Sequence, residues 1–313
     1  MIATGCPAVP RHVARIKIAR YAEGVSKGST LRDIMSDNDA LTVAHEVAEH
    51  VPRLGVRTGV LLAVALSVLL GPIPGSSQAR WIPALVDGGT DRWADRWLLS
   101  GDPDRGITVT NGPEGMTLRA GDGTDPRKDH AVLWTRAIFS GDVRIEYDYV
   151  VLDRYPTPIG EGGYCSAVLI HSRVASSAPL PADIGNWSSE QRNSDTSGPA
   201  LNAVIDGLQL NYAFVGDPRG NPFRLRSNPG YRLVGESAGV PVFEVGTEYH
   251  LVIEKVATTV SIAANPPTGL SVSHSFASPE IGQHLYGRIG LRNMNHREAR
   301  YRNIRISQRP AAR

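Results

Sequence analysis

The residues of this chain best equipped for chemistry are arginines and planar amides that alternate with apolar side chains. In Leu208-Gln-Leu-Asn-Tyr212 the two amides take one parity, and Leu208, Leu210 and Tyr212 take the other. Arg224 and Arg226 alternate with Phe223 and Leu225; Arg288 and Arg292 alternate in parity with Ile289 and Leu291. Successive side chains of a strand point to opposite faces. If the apolar members face a core, Gln209, Asn211, Arg224, Arg226, Arg288 and Arg292 face away from it. Guanidinium forks clamp carboxylates bidentately and amides read hydroxyls, so such a face suits an acidic sugar. The same pattern also describes an ordinary wet sheet face decorated with arginine. Which strands are neighbours is not written in one sequence.

Acid–base groups are sparser. A lyase acting on a uronate needs a neutraliser for the carboxylate, a base for the C5 proton and an acid for the leaving oxygen. His171, at the end of Ala167-Val-Leu-Ile-His171, and Tyr212 are the candidate catalytic residues, with Arg226 and Arg292 as neutralisers. A histidine at a strand end also serves as a satisfied structural residue. Asn295 and His296 stand in the loop after Met294. Glu146-Tyr-Asp148-Tyr-Val-Val151 begins like the Glu-x-Asp-x-x-Glu strand of retaining jelly-roll glucanases, in which two carboxylates stand about 5–5.5 Å apart. Here the third carboxylate is replaced by Val151, which removes the general acid and excludes that chemistry on this strand. Glu146 remains either a polar sugar contact or a surface carboxylate beside Arg144. Trp187, in Asp183-Ile-Gly-Asn-Trp187, either walls a cleft against which a sugar stacks or anchors its loop to the core. Asp122, Asp125 and Asp129 lack EF-hand spacing and read as a polar turn. No CxxC or Cys/His cluster is present, so neither a metal nor a cofactor is expected.

The elements that must position these groups are strands. Period-two segments separated by Gly, Pro, Asn and Asp run from Thr108–Leu118 and His130–Phe139 through Asp142–Val150, Tyr164–Ser172, Gly207–Phe214 and Phe223–Ser227. They continue over Tyr249–Ala257, Thr259–Ala264, Leu270–Phe276, Gly287–Met294 and Ala299–Ser307. Strands at this spacing, each with one apolar face, describe an all-β antiparallel sandwich. Trp93 and Trp97, four apart, read as one side of a short helix or turn. The Pro-rich stretch Ser176–Pro199 is too long for a simple connection, and long loops in compact domains are often functional.

Composition narrows the partners. With 33 Lys+Arg against 31 Asp+Glu among 313 residues, the net charge of +2 offers no field for nucleic acid. Val60–Leu70 is an apolar run preceded by Arg53 and Arg57 and followed by Pro72, Pro74, Gly75 and Ser77-Gln-Ala79. This is the layout of a secretory signal, with cleavage after Ala79 and no membrane span afterwards. Residues 1–52 then form an over-extended or disordered leader, Met35 being the better-placed start. Residues 53–79 form the signal peptide and residues 80–313 a single secreted domain. Cleavage removes Cys6 and leaves Cys165 alone, so no internal disulfide is expected.

Gly287-Arg-Ile-Gly-Leu-Arg-Asn-Met with Ala299-Arg-Tyr-Arg-Asn-Ile-Arg-Ile resembles the closing hairpin of secreted concanavalin-like jelly rolls. Together with Ala182-Asp-Ile-Gly-Asn-Trp187 and Gln209-Leu-Asn-Tyr-Ala-Phe214, it is similar to the YesU-like family found among bacterial pectin-utilisation genes. The Gly-Arg-Ile-Gly-Leu pattern is also shared by 3-keto-disaccharide hydrolase-like jelly rolls. The resemblance implies a jelly-roll sandwich that handles plant or microbial polysaccharide. The resulting expectation is an exported protein that cleaves a uronate-containing glycan, as lyase or glycoside hydrolase, or else a non-catalytic glycan-binding module. Its binding residues would be Asn211, Arg224, Arg226, Arg292, Trp187 and Glu146.

Overall fold

The computed structural model describes residues 80–122, 129–152, 166–194, 198–213, 222–239, 243–294 and 297–309. The segments expected to be leader and signal peptide, with Cys165, Asp125, Asn295 and His296, lie outside them. The described residues form sixteen strands, β1 to β16 in chain order, arranged as two antiparallel eight-stranded sheets.

The first sheet runs β14 (Val272–Ala277), β13 (Thr259–Asn265), β12 (Glu248–Val256), β7 (Val143–Val151), β16 (Glu298–Gln308), β4 (Gly115–Ala120), β3 (Ile107–Gly112). Strand β1 (Ile82–Asp87) pairs with the far half of β16. The second runs β11 (Arg232–Glu236), β10 (Phe223–Asn228), β9 (Ile205–Tyr212), β8 (Ser166–Val174), β15 (Tyr286–Met294), β5 (His130–Thr135), β2 (Trp97–Ser100). Strand β6 (Phe139–Ser140) pairs with the start of β15. This is the all-β sandwich that the alternation predicts.

Parity explains the core. On β7, Val143, Ile145, Tyr147 and Tyr149 are buried while Arg144, Glu146 and Asp148 are half-buried on the other face. Leu208, Leu210, Phe223, Leu225, Ile289 and Leu291 meet Leu251, Ile253, Tyr301 and Ile306 between the sheets. Each such aliphatic or aromatic side chain contributes about 1.5–3 kcal/mol on burial. A polar staple crosses the same space. Tyr149 Oη donates to Ser166 Oγ (2.8 Å), which donates to Asn293 Oδ1 (2.9 Å). Tyr301 Oη donates to the same oxygen at 2.8 Å, and Asn293 Nδ2 donates to the Leu118 carbonyl at 2.9 Å. Ser166→Ala removes one hydrogen bond from Tyr149 Oη and one from Asn293 Oδ1. It is expected to cost about 1–3 kcal/mol in chemical denaturation; no measurable change would mean that the hydroxyl reaches water.

Several expectations are refined. Thr108–Leu118 is a hairpin, β3–β4, turning after Gly112, and His130–Phe139 divides into β5 and β6. Strands β1, β2 and β11 carry too little alternation to stand out in the sequence. The short helix or turn expected at Trp93 and Trp97 is a single 3-10 turn, Trp93–Asp95, ahead of β2, and both indoles pack on the core. Trp97 opens that strand, and its indole N–H donates to Asp87 at 2.7 Å.

The second sheet is also apolar on its outer side. Leu98, Val132, Trp134, Leu169, Val174 and Ile205 point away from the core and are covered by Ile184, Trp187 and Leu201. These come from the segment between β8 and β9, which contains α1 (Ser189–Ser194) and α2 (Gly198–Val204). The long Pro-rich stretch is therefore a third layer. Arg288 ties it down: its guanidinium binds both carboxylate oxygens of Asp183 (2.8 and 2.9 Å) and the Thr135 carbonyl (2.8 Å). The glycines of Gly287-Arg-Ile-Gly290 serve the same packing. A Cβ on Gly287 (φ 154°) would fall 2.3 Å from the His171 carbonyl carbon, and one on Gly290 would fall 2.8 Å from the Trp134 ring.

Candidate functional site

The strand order places the sequence-predicted polar residues in register. Across β10, β9, β8 and β15 one row reads Arg224, Asn211, Ala167, Arg292; the next reads Arg226, Gln209, Leu169, Gly290. All eight lie on the outer side of the second sheet, opposite the Leu208/Leu210/Tyr212 side. Ala167 is the step that matters. Its methyl is small enough for Arg292 to cross β8 and reach Gln209 Oε1 at 2.9 Å, and Asn202 Oδ1 of α2 at 3.1 Å.

A directed hydrogen-bond chain follows. A guanidinium only donates, so Gln209 must turn its carbonyl oxygen to Arg292 and its amine to Asn211 Oδ1, at 2.7 Å. Asn211 Nδ2 must then donate outward, to Tyr231 Oη at 2.9 Å. The Tyr231 hydroxyl accepts that bond, so its own proton is left to point away from the chain. Arg226 lies over the Tyr231 ring, 4.1 Å from its centroid, and donates to the Tyr231 carbonyl at 2.8 Å. Arg224 pairs with Glu236 at 3.0 Å.

Burial separates the arginines into two kinds. Arg292 is 1% exposed, and desolvation lowers its pKa to about 10, so it stays cationic at neutral pH as an internal brace. Arg224, Arg226 and Tyr231 are half-buried and reach the surface. Asn211 and Gln209 are buried beneath them and orient the rim.

The remaining predicted residues are placed elsewhere. Tyr212 follows Asn211 directly and so points the other way, into the core, 3.3 Å from Tyr147 Oη; burial raises its pKa well above the ordinary tyrosine value. His171 is fully buried within β8, in a left-handed conformation (φ 50°) at a bulge. Its Nδ1 lies 2.9 Å from the His284 carbonyl and therefore carries the proton, leaving Nε2 bare and without a hydrogen-bond partner. Burial lowers its pKa to about 4. The two candidate catalytic residues thus do not share the face that carries Asn211 and Arg226. Glu146 lies on the outer side of the first sheet, bound by Arg144 at 3.0 Å. Trp187 is 2% exposed, with its indole N–H on the Pro181 carbonyl (3.1 Å), so it offers no open ring for stacking. Sequence reading passed over Tyr231 and Asn202. The only cue to Tyr231 is the turn Asn228-Pro-Gly-Tyr that presents it.

A second polar set runs Ser227 Oγ to His284 Nε2 (3.1 Å) and His284 Nδ1 to Asp206 (3.2 Å), with Arg173 on the same carboxylate (2.8 Å). The order is that of a hydrolytic triad, but a nucleophile must be reachable. Here the serine is 2% exposed, and the set opens to solvent at Asp206, whose side chain is 23% exposed. It joins β8, β9, β10 and the turn before β15. Among the described residues no group of three or more His, Cys, Asp or Glu could hold a metal, and no helix is long and apolar enough to cross a membrane.

No family model matches the chain, and no curated protein matches it in sequence. Among solved structures it is similar to a Bacillus subtilis protein of unknown function with a galectin-like fold: 15% identity, 73% of this chain and 98% of that one, TM-score 0.50. Weaker likenesses are to a carbohydrate-binding module, CBM66, from Bacillus subtilis (16% identity, 68% and 95% coverage, TM-score 0.38). Another is to winged bean acidic lectin complexed with methyl-α-D-galactose (9% identity, 71% and 97% coverage, TM-score 0.48). The fold is a galectin-like jelly roll. At such identities the likeness extends to the fold alone.

Proposed function

We propose that this chain is an exported, non-catalytic glycan-binding jelly roll of the YesU-like kind. Its ligand is an acidic saccharide, held on the outer face of β9 and β10. One observation carries the reading: Arg224, Arg226, Asn211 and Tyr231 converge on one patch, with the Tyr231 proton directed outward by the chain that begins at Arg292. The half-buried guanidiniums of Arg224 and Arg226 meet a uronate carboxylate at the surface, and the tyrosine hydroxyl donates to a ring or hydroxyl oxygen. The galectin-like fold supports this by analogy only. Binding is preferred over cleavage because His171 and Tyr212 stand on the inner side of the sheet, away from that patch. Export rests on the Arg53–Ala79 signal pattern.

A panel of uronate-containing and neutral oligosaccharides tests it by calorimetry, with parallel assays for unsaturated products and reducing ends. The acidic ligands bind, added salt weakens them, and no product forms. Arg224→Gln with Arg226→Gln weakens binding about ten- to a hundredfold, since a charge-assisted hydrogen bond contributes about 1.5–3 kcal/mol. Tyr231→Phe keeps the ring under Arg226 and loses only about three- to tenfold. Turnover of any glycan would replace this reading with the cleaving one; silence from every glycan would end both.

A further inference from the structure

At the β2 edge of the second sheet a cleft of about 280 Å³ opens between the Trp93–Asp95 turn, β2 and α1. Trp93, Leu99 and Pro103 are among the residues that line it, with Arg136, Arg192 and Asn193 supplying polar groups. Its lining is about evenly apolar and polar, and its volume lies just below the range usual for a small-ligand site, room for a single sugar ring. The walls are fixed. The Trp93 backbone N–H donates to Asn111 Oδ1 at 2.9 Å. Gly101, just after β2, donates its N–H to the Arg192 carbonyl (3.2 Å). Arg136 is anchored by its stem, Nε donating to the Ala94 carbonyl at 2.9 Å, while the residue stays exposed; no carboxylate pairs with it among the described residues.

We infer that this cleft is a second, independent saccharide site. It takes one hexuronate ring, with the ring's apolar C–H face on Trp93 and its carboxylate on Arg136. The ligand class rests on the proposed glycan function; the location does not. An exposed cation without an acid, beside the Trp93 indole, complements a ligand that is apolar on one face and anionic at one end. The cleft is separate from the β9–β10 patch. From β10 to β2 is five strand spacings, about 24 Å, with the α1–α2 layer between. No single ring touches both.

Calorimetry and tryptophan fluorescence with D-galacturonate and its trimer, on the protein, decide the matter. The expected result is two sites per chain and a change in tryptophan emission on binding. Trp93→Ala and Arg136→Gln each weaken the cleft site at least tenfold and leave one site. Arg224→Gln with Arg226→Gln weakens the other site about ten- to a hundredfold and keeps the emission change. Arg136 is exposed, so its variant folds even if Trp93→Ala does not. One site per chain, with Arg136→Gln binding as the parent does, overturns the cleft while leaving the β9–β10 reading in place. Absence of binding to either probe overturns both.

Discussion

Replacing Trp187 by alanine is expected to remove about 3–5 kcal/mol of stability, the usual cost of emptying a buried aromatic site. Nothing in a surface loop would cost so much. The expectation follows because Trp187, with Ile184 and Leu201, covers Leu169, Trp134 and Ile205 as a core layer covers a sheet. The same layer carries Asn202, whose Oδ1 accepts from Arg292. Loosening it therefore removes one acceptor from the brace behind Gln209 and Asn211, and saccharide binding should weaken along with thermal stability. Limited proteolysis and thermal melts check this together: the variant should be cut between residues 175 and 204 and melt roughly 10 °C or more below the parent. A variant with unchanged melting and protease resistance would show that the segment is a dispensable strap.

Acidification is expected to cost stability through His171 in a defined window. Buried, and beside Lys255 and His284, this histidine has its pKa lowered to about 4, whereas an unfolded chain gives it the ordinary value of about 6.5. Between those limits the unfolded chain binds a proton that the native site refuses. The native state therefore loses ground as pH falls from about 6.5 to about 4, by roughly 3 kcal/mol in all, and is indifferent to this group above pH 7. His284, also lowered by burial, acts in the same direction. His171→Asn keeps a residue type that tolerates the left-handed backbone and has no proton to take up. Denaturant melts at pH 7.5 and pH 4.5 should show the parent losing about 2–3 kcal/mol more than the variant. Parallel losses would place His171 in contact with water rather than in the dry end of the sandwich.

Much of the fold was legible because parity is a local property. Val143, Ile145, Tyr147 and Tyr149 face inward as their spacing requires, and Asn211, Arg224, Arg226 and Arg292 face outward. Strand order is not local. Nothing in the sequence says that Ala167 stands between Asn211 and Arg292, yet that small residue is what lets the arginine reach Gln209. The outer layer was hidden for a related reason. Leu169, Val132 and Trp134 are apolar on the face that alternation assigns to solvent, and near-continuous apolar runs in β5 and β8 mark strands buried on both sides. Tyr212 could have been set aside from the sequence alone. A side chain that faces the core with Leu208 and Leu210 cannot also serve a ligand beside Asn211, its immediate neighbour. Tyr231 is marked in the sequence only by the Asn228-Pro-Gly-Tyr turn, and nothing local says that this turn brings it over β10.

A crystal structure of the protein saturated with a galacturonate trimer tests the central claim most directly. The account predicts a sugar carboxylate on the Arg224 and Arg226 guanidiniums and a ligand oxygen within hydrogen-bond distance of Tyr231 Oη. A saturated crystal in which the β9–β10 face is bare would contradict it.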